Sequence, residues 1–132
     1  MVIIEKYFAT GGRKEASAQV ILKPGNGYFI VNEKNGIVYF NESARLIKKI
    51  LLPIKLLRLN QFFDIIAKVK GSGLVAQADA IGLAIAKILV KVDSRFRKFL
   101  KKYKLLRRDP RKVERKKYGL HKARKAVQYS KR

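Results

Sequence analysis

An α+β body followed by a long basic C-terminal tail is the fold class that this sequence predicts, and three observations predict it. Apolar residues alternate with period two over 18–22 and again over 63–69, and they recur at helical spacing over 78–92. Charge then changes character near Val92: residues 1–92 hold 14 basic and 6 acidic side chains, whereas 93–132 hold 18 and 3. The second stretch carries +15 of the net +23, so we divide the chain into a globular body, 1–103, and a basic tail, 104–132.

Residues 1–8, apolar with two charges, read as a first strand. Ala18, Val20 and Leu22 alternate with Ser17, Gln19, Ile21 and Lys23, the period of a half-buried strand. Pro24-Gly25-Asn26-Gly27 reads as a turn, after which 28–31 resume a strand and complete a hairpin. Over 43–52, Ala44, Ile47, Ile50 and Leu51 share one helical face, with Ser43 as cap and Pro53 as stop or kink. Phe63, Ile65, Ala67 and Val69 alternate with Asp64, Ile66, Lys68 and Lys70, a further strand with a basic edge toward its end.

After Gly71-Ser72-Gly73 comes the strongest helix, in which Ala78, Ile81, Ile85, Ile88, Leu89 and Val92 form an apolar stripe opposite Gln77, Lys87 and Lys91. Gly82 weakens it locally and permits close packing. A shorter helix follows, capped by Asp93 or Ser94, with Phe96, Phe99, Leu100 and Tyr103 at helical spacing. Residues 104–132 hold 13 basic side chains and no apolar face wide enough to bury, so the tail cannot offset its own ordering entropy without a partner. Asp109-Pro110 suits the start of a short helix over 111–117, ended by Gly119.

A charge of +23 on 132 residues repels itself, and a polyanion relieves that repulsion while releasing condensed counterions. Composition stops at polyanion binding and does not choose between RNA, DNA and an anionic surface. Membrane binding would need bulky apolar residues opposite the cations, and the tail lacks that face. With no cysteine there is no disulfide framework and no Cys-based zinc site. The start of the chain has no signal-type apolar region and reads as soluble and unprocessed. The excess of Lys over Arg and the abundance of Ile are the drift of AT-rich coding DNA, pointing to an organelle or an AT-rich bacterium.

An enzyme needs a nucleophile, a base or a metal, and this chain offers one histidine and nine scattered carboxylates; no catalytic residue, metal site or cofactor is expected. His121, embedded in cations, reads as an RNA contact or a solvated residue. Gly71-Ser72-Gly73 before a helix has two readings, a phosphate-cradling loop or a tight strand-to-helix turn, and it lacks a full Walker or dinucleotide pattern. Tyr118 and Tyr129 have two roles open to them, stacking on bases or packing on the body.

The segments ATGGRKEASAQVILKPGNGYFIVN, VKGSGLVAQADAIGLAIAKIL and LLRRDPRKVERKKYGLHKARKAVQYSKR follow one another in the order of a known family. The chain closely resembles the bacterial and organellar type of the ninth protein of the small ribosomal subunit, over essentially its whole length. That resemblance implies a four-stranded sheet with helices on one face and a left-handed βαβ crossover, as in the second domain of the fifth small-subunit protein. It also implies a place in the head of the subunit, among neighbouring head proteins, with body and tail on ribosomal RNA and no membrane.

By the same resemblance, Arg13, Lys14, Lys70, Arg107, Arg108, Arg111, Arg115, Lys116, Lys117, Lys122, Arg124 and Lys125 are the expected contacts to ribosomal RNA. Ser130, Lys131 and Arg132 form the tip expected to approach transfer RNA in the peptidyl site, where two cations and a hydroxyl can grip sugar-phosphate without reading bases. Gly12 stands where the family often has Arg, Ser72 interrupts a glycine triplet, and Ala76 replaces a common Gly. The expected compartment is the ribosome of a plastid, with a bacterial cytoplasm as the alternative.

Overall fold

The computed structural model describes residues 6–59 and 62–107 together with Tyr118 and Arg124. Five strands form one sheet: β1 (Tyr7–Arg13), β2 (Ala16–Pro24), β3 (Phe29–Val31), β4 (Lys34–Asn35) and β5 (Phe63–Lys70), in spatial order β1-β2-β5-β3-β4. Four helices accompany it: α1 (Gly36–Tyr39), α2 (Ala44–Leu56), α3 (Leu74–Val92) and α4 (Phe96–Lys102). The α+β class stands as expected, but the expected count of four strands gives way to five. The addition, β4, is two exposed polar residues, too short to print a period-two signature.

The first strand lies later than expected, at Tyr7–Arg13, and residues 1–5 are outside the described residues. Gly11 and Gly12 lie inside this strand, past the expected end at residue 8, although glycine is a poor strand former. A β-carbon on Gly11 would stand 2.1 Å from the Ala80 carbonyl oxygen, so glycine here is what lets α3 lie directly on β1. A two-residue turn, Lys14–Glu15, then reverses the chain into β2, with Arg13 opposite Ala16.

The expected hairpin of 17–23 with 28–31 does not form. Instead β5 inserts between β2 and β3, antiparallel to the first and parallel to the second. The loop after Pro24 is held by the incoming strand: one Asp64 carboxylate oxygen accepts the backbone N–H groups of Asn26, Gly27 and Tyr28, each at 3.0 Å. Those bonds, Tyr28 foremost, hold the Asp64 carboxyl below its ordinary range against some desolvation, with Lys23 nearby adding to the effect.

Alternation on the strands now has a physical meaning. Ala9, Ala18, Val20, Leu22, Ile65, Ala67 and Val69 point into the core under α3, while Ser17, Gln19, Lys68 and Lys70 lie on the open face. The helix presents Ala78, Ala80, Ala84 and Ala86, all buried, and these small side chains permit close approach over nearly its full circumference. Lys87 and Lys91 reach from α3 to the Thr10 and Phe8 carbonyls, covering the edge of β1.

Helix α2 runs through Pro53 to Leu56 instead of stopping before it. Its buried residues are Leu46, Ile50, Pro53 and Ile54, so Ala44, expected inside, is exposed. Ser43 does occupy the N-cap position, but its side chain makes no cap hydrogen bond. Pro53 has no N–H for the Lys49 carbonyl four residues back. Gly82 of α3 lies over that carbonyl, where a β-carbon would sit 3.5 Å from it.

The N-cap position of helix α4 is Arg95, two residues after Asp93 and one after Ser94. Asp93 acts nonetheless: its carboxylate accepts the Arg95 N–H at 2.9 Å and pairs with the Arg95 guanidinium at 2.8 Å. These bonds draw the Asp93 carboxyl down and raise Arg95. Leu100 is fully buried, whereas Phe99 and Tyr103 meet outside with their rings tilted by 53°, centroids 5.4 Å apart. The chain then turns with Lys104 left-handed (φ +60°), and Leu105 and Leu106 settle against the core. The helix expected over 111–117 falls outside the described residues.

Candidate nucleic-acid interface

Two of the sequence-chosen cations meet at one end of the sheet. Lys14 stands in the β1–β2 turn with φ +54°, and Lys70 is the last residue of β5, opposite Ser17. The glycine loop after Lys70 closes onto the same turn, since a β-carbon on Gly71 would sit 2.3 Å from the Glu15 carbonyl oxygen. Both lysines are exposed, so this corner presents cations on a rigid hairpin end.

The loop is shaped from within by a buried polar chain that the sequence did not disclose. Gln77, expected on the solvent face of α3, is buried. Its amide donates to the Gly71 carbonyl at 3.1 Å, and its oxygen accepts the Tyr39 hydroxyl at 2.7 Å. Asn32, itself left-handed, donates to the Tyr39 oxygen and pairs with both the N–H and the C=O of Val69. Helical spacing alone could not reveal this, because the partners come from α1, β3 and β5. Between the two readings of Gly71-Ser72-Gly73, the tight strand-to-helix turn has the observed geometry: φ +86° at Gly71, +54° at Ser72, and Gln77 as the internal tie.

Arg13 points elsewhere. Its side chain is 14% exposed and its Nε lies 3.5 Å from an Asp79 oxygen, while Lys49 Nζ lies 2.8 Å from the other. This ion triplet sits in a cavity of about 400 Å³ where β1, α2, α3 and the turn after α4 converge, and Lys104 and Arg107 line it as well. The cavity therefore joins Arg13 to Arg107, two of the expected contacts that are 94 residues apart in sequence. Sequence reading missed Lys49, Lys104 and Asp79; only the packing of α2 on α3 through Pro53 and Gly82 brings them together.

Arg124 and Tyr118 are exposed. Arg108, Arg111, Arg115, Lys116, Lys117, Lys122, Lys125, Ser130, Lys131 and Arg132 lie outside the described residues, as do His121 and Tyr129. Among the described residues no group of three or more His, Cys, Asp or Glu could hold a metal ion, and no helix is long and apolar enough to cross a membrane.

Comparison with known proteins agrees with this basic, site-poor surface. The profile of a family described as "Ribosomal protein S9/S16" matches residues 11–132. The protein named "Small ribosomal subunit protein uS9" of Trichormus variabilis is 50% identical over 126 residues, covering 96% of this chain and 91% of that one. Its namesakes in Synechocystis sp. and Microcystis aeruginosa are each 49% identical over 126 residues, with 96% of this chain and 92% of theirs covered.

Proposed function

Because the chain belongs to the ribosomal protein S9/S16 family, and is thereby a non-enzymatic structural constituent of the small ribosomal subunit, we propose that it binds small-subunit ribosomal RNA through body and tail. In this reading the tail tip, Ser130, Lys131 and Arg132, contacts transfer RNA in the peptidyl site. The observation that carries it is the segregation of charge, +15 of +23 beyond Val92, within a family match that runs to the last residue. A tail so charged gains affinity from every phosphate it neutralises.

The cations divide the work by their chemistry. Arg13, Arg107, Arg108, Arg111, Arg115 and Arg124 offer planar forks that suit bidentate contact with phosphate oxygens; Lys14, Lys70, Lys116, Lys117, Lys122 and Lys125 neutralise as point charges. Contacts to sugar and phosphate fix position without reading sequence, and that suits a tip which must accept every transfer RNA. A place in the subunit head beside other head proteins belongs to the same reading, as does a left-handed sense for the crossover from β3 to β5. The cyanobacterial relatives support a plastid ribosome as the compartment.

Crosslinking of the protein in its native extract, followed by sequencing of the attached RNA, tests this. Crosslinks concentrated in one region of small-subunit ribosomal RNA, with transfer RNA joined near Arg132, are the expected result. Crosslinks dispersed over many transcripts would make the chain a general RNA chaperone instead.

A further inference from the structure

The open face of the sheet breaks its own alternation at one level. Phe8 of β1, Ile21 of β2, Ile66 of β5 and Ile30 of β3 are register partners in turn, so they form a single apolar row on the face turned away from α3. On either side of it that face is polar, as a solvated sheet face requires. Thr10, Gln19 and Lys68 make the next row, all exposed, and Lys23 and Asp64 pair on the other side. We infer that the row docks a neighbouring protein of the small subunit, through a segment with aliphatic residues in line and a carboxylate beside them; this rests on the ribosomal reading above and gives the body a protein contact separate from its Lys14–Lys70 corner.

Four strands set side by side make the row about 14 Å long. Its ends, Phe8 and Ile30, are 49% and 37% exposed, with Ile21 and Ile66 half-buried between them. An apolar strip inside a polar rim is the anatomy of a protein interface, and four strands each contributing one residue at the same level make it continuous. At the β3 end the row opens into a cavity of about 390 Å³ with apolar walls from Tyr28, Ile30 and Ile37, all exposed. That space accommodates one large side chain, the kind of anchor on which binding energy concentrates.

Chemistry and charge choose the occupant. Within the row only Phe8, at one end, offers a ring on which a base could stack, and the three isoleucines offer no hydrogen bond to a 2′-hydroxyl or a base edge. RNA laid there would bury polar groups unmet. A second copy of the chain, at +23, and the chain's own tail, with 13 cations over 104–132, are repelled by a lysine beside the row. A segment bearing a carboxylate is attracted by the same lysine: Lys68 stands exposed on the same face two residues past Ile66. Asp64 competes little for it, because it lies across the row from Lys68 and one of its oxygens already accepts three backbone N–H groups. Lys34 and Glu33, of opposite sign, both line the cavity, which leaves Lys68 as the charge that a partner meets.

The test places a photoreactive benzophenone side chain at Gln19, exposed beside the row, in the full chain assembled into small subunits. The expected result is a crosslink to one polypeptide of the subunit, at a peptide in which aliphatic residues stand within a few positions of an Asp or Glu. Its yield per assembled chain falls several-fold with Ile66→Thr and with Lys68→Glu, and Lys68→Arg keeps it. Ile66→Thr retains a β-branched residue on the open face, so its melting temperature stays within a few degrees of the parent and unfolding cannot account for the loss. Lys14→Glu makes the same change of charge at the other corner of the sheet and leaves the yield as it was.

A Gln19 crosslink to RNA or to a second copy of the chain, no crosslink at all within the subunit, or one indifferent to Ile66→Thr or to Lys68→Glu would overturn the docking surface while leaving the ribosomal assignment standing. A yield that fell alike for Lys68→Glu and Lys14→Glu would do the same. If the unsubstituted chain fails to enter small subunits, the ribosomal reading falls, and the docking surface with it.

Discussion

Gly11 and Gly82 both lie where backbone meets backbone, yet they differ in what a methyl group would do. At Gly11 the added carbon would meet the Ala80 carbonyl oxygen at 2.1 Å and the Ala84 nitrogen at 2.9 Å, and neither backbone atom can swing aside. Gly11→Ala therefore forces α3 off β1, at about 1–3 kcal/mol or more. At Gly82 the nearest atom is 3.5 Å away, an ordinary contact, and alanine removes a helix penalty of about 1 kcal/mol. Thermal melts check the pair: Gly11→Ala loses several degrees, while Gly82→Ala melts at or above the parent temperature. A fall for Gly82→Ala would mean that α2 and α3 approach more closely than the described geometry.

Asp64 makes a pH prediction at the same scale. Its native carboxyl titrates below the ordinary 3.8 because three backbone N–H groups favour the charged form. A carboxyl lowered in the native state stabilises it above the unfolded pKa, and that contribution is lost as pH falls through the native value. Asp64→Asn is accordingly less stable than the parent at neutral pH, and the difference narrows only in strong acid, below pH 3.8. Melting temperatures of both proteins across pH 2–7 measure this, and a gap that closed already near pH 6 would point to a histidine-like group instead.

Among the elements, those whose burial follows their own period were legible. The sequence alone located β2, β5 and α3, because Ala18-Val20-Leu22, Ile65-Ala67-Val69 and the Ile81-Ile85-Ile88 stripe are buried at the period of their own strand or helix. Where a partner far along the chain decides, local reading failed. Residues 17–23 and 28–31 looked like a hairpin because the turn between them is rich in Gly, Pro and Asn, but Asp64 closes that loop and β5 separates the strands. Pro53 looked like a stop or a kink, since nothing local says that its helix runs on to Leu56 and packs against α3. The same limit explains the site: Lys14 and Lys70 were legible as basic loop ends, whereas Asp79 looked like one more solvated acid. Gln77 is the sharpest case, a polar residue at a polar position of the helical wheel that is nonetheless buried. Gln77→Leu keeps the volume and strands the Tyr39 hydroxyl and the Gly71 carbonyl, so we expect a loss of about 1–3 kcal/mol. Denaturant melts measure it; because the loop before α3 is tied by this amide, amide exchange at Gly71–Gly73 should quicken more than in the middle of α3.

For the whole molecule, charge and fold are separable quantities. The core is closed by Leu100, with Leu105 and Leu106 against it, before most of the basic tail begins. Deleting 130–132 removes two cations and a hydroxyl while touching no described contact of the body. The melting temperature of that variant should equal the parent's, and it should enter small subunits in parent amount, since all twelve cations assigned to ribosomal RNA precede residue 130 and are kept. What changes is transfer RNA: fewer phosphate contacts mean a faster dissociation from the peptidyl site, by a similar factor for every transfer RNA because the grip is on sugar-phosphate. Single-turnover dissociation rates for several transfer RNAs measure both the size and the evenness of the effect. A rate change confined to one transfer RNA would indicate base reading by the tip, and no change at all would remove the tip from the peptidyl site.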